Sequence, residues 1–148
     1  LTNTKNYGDL YSELGQLGAE VLLDSLERQN FSDLREQDVS KATYAPKIKK
    51  EDTKIDFNNS AFEIEAKIRG LAPSPGAWFE YRNERLKIFR ANVKEGLGRP
   101  GEIVDSNFVI GCGQNLIQVL EIQRPGKSVL KVEDFLKGWR VTKGDFVN

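Results

Sequence analysis

Thr43-Tyr44-Ala45-Pro46-Lys47-Ile48-Lys49-Lys50-Glu51-Asp52, then Ile55-Asp56-Phe57, Ser60-Ala61-Phe62-Glu63, Ile68-Arg69-Gly70-Leu71 and Pro73-Ser74-Pro75-Gly76-Ala77-Trp78, separate two halves of different character. The first third of this stretch is basic. Pro46 disfavours helix at Ala45, so the lysines are expected on an extended segment. The middle is a helix: Ser60 and Glu63 have capping-box spacing just before an apolar run. Phe62, Ile64 and Ile68 are its expected buried stripe, with Leu71 just past it. Gly70 fits near the helix C-terminus. The Pro/Gly turn at the end launches strands.

Downstream, the period changes to that of a sheet. Residues 77–81 are an aromatic-rich strand, and Arg82-Asn83-Glu84 a tight polar turn. In the next strand, 85–93, strict alternation puts Leu86, Ile88 and Arg90 on one face and Lys87, Phe89 and Ala91 on the other. A short strand follows at 102–104, then one in which Phe108, Ile110 and Cys112 alternate. Residues 116–123 read as a strand apolar on both faces in its middle, as a well-covered sheet requires. A short helix is expected over 132–137, stopped by Gly138, and the tail folds back through Trp139 and Phe146. Arg99-Pro100-Gly101 recurs as Arg124-Pro125-Gly126, which is turn chemistry rather than an internal repeat. The expected fold is therefore mainly β with flanking helices, a small OB-like or Greek-key barrel.

Upstream, Asn6 and Asp9 mark a helix start. Leu10, Leu14 and Leu17 recur at helical spacing, and Gly15 and Gly18 are expected to break or kink that helix before a second run with Val21, Leu22, Leu23 and Leu26. Such a helix–turn–helix of roughly thirty residues is too short to bury its own apolar face. It reads as the helical tail of an α/β domain missing from this chain. The expected organisation is 1–30 as those helices, 31–57 as a basic linker and 58–148 as the barrel domain. The chain begins at Leu1 and has no methionine among its 148 residues, so it is expected to be a piece of a longer protein.

Composition removes several chemistries. Lys+Arg equals Asp+Glu at 22 each, so net charge argues for no partner, and only its local distribution can. The chain has no histidine, which excludes a Ser-His-Asp triad, a Cys-His dyad and a histidine general base within it. Metal sites would have to be built from one cysteine and carboxylates, so none is expected. Cys112 sits in an apolar stretch and is expected as a buried free thiol. No signal peptide is expected, and no apolar run in these residues is long enough to span a bilayer.

The local charge is informative. Lys41, Lys47, Lys49, Lys50 and Lys54 face only Glu51 and Asp52. They are either a solvated linker or a surface for a polyanion. Arg69 is either a cation at the negative end of a helix or a phosphate contact.

These motifs, in this order, closely resemble the C-terminal half of the methionyl-tRNA formyltransferase family. Leu86-Lys87-Ile88, Pro100-Gly101-Glu102-Ile103, residues 116–127 and Asp134-Phe135-Leu136 before Gly138 continue the match, and residues 6–26 resemble the last helices of that family's formyl-transferring domain. Three departures are small: Lys131 stands where a capping residue is usual, Phe57 where tryptophan is common, and Asn6 where threonine is frequent. The resemblance implies a cytoplasmic enzyme that moves a formyl group from 10-formyltetrahydrofolate to the amino group of methionyl-initiator-tRNA for translation initiation. Its catalytic Asn, His and Asp and its folate pocket belong to the N-terminal Rossmann-like domain, so this chain alone is expected to be inactive and without cofactor. The expected partners are the initiator tRNA and that domain, with neither membrane nor DNA. The resemblance implies that this part holds the tRNA, and the basic side chains expected to contact its phosphates are Lys47, Lys49, Lys50, Lys54, Arg69, Lys87, Arg90, Arg124 and Lys127. The alternative is a scaffold or dimerisation barrel in a formyltransferase acting on a sugar nucleotide or folate.

Overall fold

The computed structural model describes residues 5–28 and 35–148. The expected boundary at residue 30 and the start of the linker lie outside the described residues. Among the described residues, besides two 3-10 turns, the elements are α1 (Tyr7–Arg28), α2 (Ala61–Leu71), β1 (Ala77–Tyr81), β2 (Glu84–Lys94), β3 (Ile103–Asp105), β4 (Val109–Gly111), β5 (Leu116–Gln123), β6 (Leu130–Lys131) and α3 (Val132–Gly138). The strands form one antiparallel sheet in the order β1-β2-β5-β4-β3, with β6 also paired to β5. The expected small barrel with flanking helices is the observed architecture.

Turn chemistry sets the first hairpin. Arg82 and Asn83 both take positive φ, at 50° and 63°, as a two-residue hairpin turn matching the strand twist requires. Its register places Trp78 opposite Lys87 and Phe79 opposite Leu86. The tail then joins the two outer strands. The N–H of Ile103 donates to the Asp145 carbonyl at 2.8 Å, and Asn148 and Glu80 exchange backbone bonds of 2.6 and 2.8 Å. Residues 144–148 thus satisfy groups on β3 and β1 that a sheet edge would leave unpaired.

Inside, aromatic rings follow one another from the linker to α3. Phe57 meets Phe79 edge-on at 5.8 Å, Phe79 meets Phe108 at 5.9 Å, and Phe135 stacks between Phe108 and Trp139 at 6.2 and 5.6 Å. Each fully buried ring of this kind contributes roughly 1.5–3 kcal/mol over exposure. Trp139 and the tail fold back as expected, although the inward tail residue is Val147 and Phe146 stays half exposed.

The capping box of α2 is present. The N–H of Glu63 donates to Ser60 Oγ at 3.3 Å, and the N–H of Ser60 donates to Glu63 Oε2 at 2.9 Å. The Ser60 hydroxyl and N–H hold the Glu63 carboxyl below its usual range. The buried stripe differs from expectation: it is Ala61, Ile64, Ile68 and Leu71, while Phe62 is 63% exposed. At about 100° per residue, position 62 lies some 200° from position 64, on the opposite side of the helix.

The expected break in α1 is also absent, and the helix runs through Gly15 and Gly18 without interruption. An exposed helical glycine costs only about 1 kcal/mol against alanine, and no proline or capping residue follows either one. The helix starts as expected, with Asn6 Oδ1 accepting from Asp9 N–H at 2.9 Å and Asp9 Oδ2 from Asn6 N–H at 3.0 Å. It meets the rest of the chain near Gly8, whose N–H donates to the Ala72 carbonyl at 3.1 Å and where a Cβ would sit 2.5 Å from Pro73 Cδ. No α1 residue is buried. In α3, Lys131 at the N-cap makes no side-chain cap bond, and Gly138 closes the last turn rather than following it.

Candidate nucleic-acid interface

The lysine segment meets the barrel along β1. The N–H of Ile55 donates to the Trp78 carbonyl at 2.7 Å, and a 3-10 turn, Glu51–Thr53, precedes that contact. The turn is stitched by Lys49 N–H donating to Asp52 Oδ2 at 2.8 Å. Over the Trp78 indole lie the Arg85 guanidinium, 3.8 Å from the ring centroid, and the Lys54 ammonium, at 5.6 Å. Lys49, Lys50, Arg85 and Lys87 line a cleft of about 330 Å³ there, and Lys87 Nζ donates to the Pro75 carbonyl at 2.8 Å.

Farther along β2 the expected alternation fails. A register irregularity falls between Ile88 and Ala91, where Ile88 pairs with Ile122, Arg90 with Glu121 and Ala91 with Val119. Leu86, Ile88 and Ala91 are therefore buried, while Lys87 is half-buried and Arg90 is exposed. The extra residue of a bulge moves every later side chain to the other face. Arg90 does not share the face of Leu86 and Ile88; it and Lys87 both lie on the side turned from the core, flanking Phe89. The expectation that strict alternation separates Lys87 from Arg90 is corrected accordingly.

Arg69 borders a cavity of about 340 Å³ together with Phe89 and Arg90. Its Nε donates to Glu65 Oε1 at 3.2 Å, so its positive charge is already paired one helical turn away. Arg124 is paired more tightly. Its Nε and Nη2 donate to the two oxygens of Glu84 at 2.9 and 2.7 Å, and its guanidinium lies 4.0 Å from the centroid of Trp139. The Glu84 hydrogen bonds raise Arg124 above its ordinary value. Lys127 is exposed in the following turn, where its carbonyl accepts from Gln123 Nε2 at 2.7 Å. Lys47 is exposed on the extended segment. Among the described residues, Lys47, Lys49, Lys50, Lys54, Lys87, Arg90 and Lys127 form no ion pair, and neither does Arg85.

Residues 47–140 match the family model for the formyl transferase C-terminal domain. This chain belongs to that family. Among curated relatives, the methionyl-tRNA formyltransferase of Ruegeria pomeroyi is 38% identical over 137 residues, covering 93% of this chain and 46% of that protein. That of Rhodopseudomonas palustris is 37% identical over 151 residues, covering 97% of this chain and 48% of its own length. The chain thus spans about half the length of the curated relatives it matches. Among solved structures, HypX from Aquifex aeolicus superposes with a TM-score of 0.67 at 21% identity, covering 100% of this chain and 30% of that one. A structure of the same protein with tetrahydrofolic acid superposes with a TM-score of 0.59 at 23% identity, over 87% of this chain and 26% of that one. At those identities the likeness is one of fold.

As a formyl transferase C-terminal domain, the chain joins Lys49 and Lys50 to Lys87 in one cleft and Arg69 to Arg90 in another, and places Arg124 and Lys127 at a third, beside α3. Arg85 was missed from sequence. The signal was present: hairpin pairing of Trp78 with Lys87 leaves Arg85 as Trp78's diagonal neighbour, within reach of a long side chain. Cys112 is buried, and burial pushes its thiol up to about 12, so at neutral pH it is neither thiolate nor nucleophile. Among the described residues, no helix is long and apolar enough to cross a membrane.

Proposed function

We propose that this chain is the tRNA-holding C-terminal part of a methionyl-tRNA formyltransferase. The whole enzyme carries a formyl group from 10-formyltetrahydrofolate to methionyl-initiator-tRNA in the cytoplasm, at translation initiation. In this reading α1 is the end of the catalytic domain, with the linker to residue 57 and the barrel from 58 onward. The folate pocket and the groups that activate the methionyl amine reside in the preceding domain, and this chain alone is inactive.

The observation that carries the reading is the run of cations without acid partners from Lys47 through Lys49 and Lys50 to Arg85, Lys87 and Arg90 along the outer side of β2. Unpaired lysines and arginines on an extended track suit phosphates, and such contacts position an RNA while carrying little sequence information. Lys54 lies over Trp78 beside that track, and Lys127 stands apart, at the cleft beside α3. Arg69 and Arg124 are neutralised where they stand and contribute less. The names of the curated relatives favour this reading over a scaffold barrel serving a small-molecule formyltransferase.

The experiment is a titration of the chain against initiator tRNA across salt from about 50 to 200 mM. Micromolar or tighter binding at low salt that weakens steeply is the expected result. Replacing Lys47, Lys49 and Lys50 together with alanine is expected to weaken binding by about ten- to a hundredfold and to flatten the log–log salt slope by about 2 to 3. Unchanged affinity and slope in that variant would remove the linker from the interface.

A further inference from the structure

Thr53 is the one buried polar residue among those described, at 4% exposure. A buried hydroxyl is costly unless its hydrogen bonds are made. Here both are. The indole N–H of Trp78 donates to Thr53 Oγ1 at 3.0 Å, and the Thr53 hydroxyl donates in turn to the Lys50 carbonyl at 2.7 Å. Trp78 belongs to the β1–β2 hairpin and Lys50 to the lysine segment, so two bonds in series tie a flexible type of sequence to a rigid one. The backbone bond from Ile55 to Trp78 fixes the far side of the same turn; of the two acids that follow these lysines in sequence, Asp52 accepts from the Lys49 N–H, and neither it nor Glu51 lines the cleft.

What the tie achieves is a concentration of like charge. Lys49 and Lys50 come from the linker side of the cleft, and Arg85 and Lys87 from the barrel side, with no carboxylate among its lining residues. The other basic clefts differ: Asp9, Glu65 and Glu121 line the one at Arg69 and Arg90, and Asp134 the one at Arg124 and Lys127. Four cations held together without an acid repel one another, and an anion relieves that repulsion. Arg85 lies 3.8 Å over the same indole that donates to Thr53, so one side chain orients cations on both walls.

We infer, resting on the RNA-holding role proposed above, that this cleft takes a backbone phosphate of the RNA. In it, Arg85 is a further contact, and Trp78 and Thr53 are positioning residues that hold Lys49 and Lys50 on the rim. A linker that merely hung beside the barrel would have no use for the relay, because lysines on a loose segment reach phosphates without it. The relay fixes where they do so.

Thr53→Val keeps the shape of the side chain and removes the donor and acceptor, Thr53→Ser keeps both, and Trp78→Phe keeps an aromatic ring under Arg85 while removing the N–H. Each variant of the chain is followed by two readouts: the rate of tryptic cleavage after Lys49 and Lys50, and affinity for initiator tRNA at fixed salt. Thr53→Val and Trp78→Phe are expected to speed cleavage and weaken RNA binding by about five- to tenfold each, with Thr53→Ser close to the parent in both. Adding Lys49→Ala and Lys50→Ala to Thr53→Val should then cost little more affinity, since the lysines are already misplaced. Unchanged cleavage in Thr53→Val would overturn the relay. Faster cleavage with parental RNA affinity would overturn the positioning role. A parent chain that binds no tRNA, with cleavage still faster in Thr53→Val, would overturn the RNA-holding role itself while the relay's grip on the turn stands.

Discussion

Arg85 and Arg124 lie over tryptophans of the same barrel at nearly the same distance, 3.8 Å over Trp78 and 4.0 Å over Trp139. They differ in what else holds them. Arg124 gives two hydrogen bonds to Glu84, and its tryptophan stacks on Phe135 of α3. Arg85 has no acid partner among the described residues and faces a cleft lined by three lysines. The first arrangement cancels the charge and uses the guanidinium as a strut between β2, β5 and α3. The second keeps the charge and aims it. A stacked arginine is thus not in itself a binding residue; the carboxylate beside it decides.

The largest expected effect strikes the strut. Trp139→Ala removes a half-buried ring that joins Phe135 to Arg124, and should cost about 2–3 kcal/mol of stability, read as a lower urea midpoint. Its affinity for tRNA should stay within about twofold of the parent, because neither Trp139 nor the paired Arg124 lies among the free cations. A loss of RNA affinity as large as that of the triple lysine variant would break the contrast and bring the α3 side into the interface.

Arg69 tests the same contrast from between its two extremes. It borders the cavity that holds Arg90, but Glu65 neutralises it. Glu65→Gln keeps the shape and releases the charge. Affinity for tRNA should rise about two- to threefold, and the salt slope should steepen by up to about 0.9, one added phosphate contact. An i,i+4 pair of this kind on a helix contributes only about 0.3–0.5 kcal/mol even where, as here, it is half-buried, so folding should change little. Unaltered or weaker RNA binding would mean that Arg69 lies off the path, or that its pairing is not what withholds it.

Much of this was legible in sequence, and what was not has a physical cause. The bounds of β1 and β5 follow from aromatic and apolar runs between Pro/Gly and Asn turns, and the start of α2 follows from the Ser60–Glu63 cap, all features set within a few residues. The bulge at Phe89–Arg90 depends on how β5 pairs, which no local pattern encodes. Glu65 and Arg69 stand four apart, so their pairing could have been read from helical spacing. Glu84 and Arg124 are 40 positions apart, and only the fold brings them together. The role of Thr53 was invisible because its partner Trp78 is 25 positions away. The exposed leucines of α1 carry the clearest helical periodicity upstream of the barrel, yet no α1 residue is buried: a period identifies a face, not what covers it.

The smallest expected effect is a null one, and it separates the two kinds of cation by pH. The chain has no histidine, the side chain whose ordinary titration lies between pH 5 and 8. Affinity for tRNA at fixed salt should therefore be flat from about pH 6 to 8. The paired groups respond in a different window. The Tyr81 hydroxyl and the Arg82 guanidinium hold the Asp145 carboxyl below its ordinary value, and Arg99 does the same for Glu102. A folded-state value below the unfolded one contributes stability that is complete above the ordinary carboxylate range, near about pH 4, and that is lost as pH falls through the lowered values. Urea midpoints measured from about pH 2 to 8 should accordingly hold steady above roughly pH 5 and fall only in acid. Asp145 and Glu102 lie at the seam where residues 144–148 join β3 and β1, so acid should loosen that closure while leaving the charge on the β2 track intact. A step in RNA affinity between pH 6 and 8 would show that a titrating group outside the named cations belongs to the interface. A stability loss already under way at pH 6 would show that these two acid pairs are not what sets the acid limit of the fold.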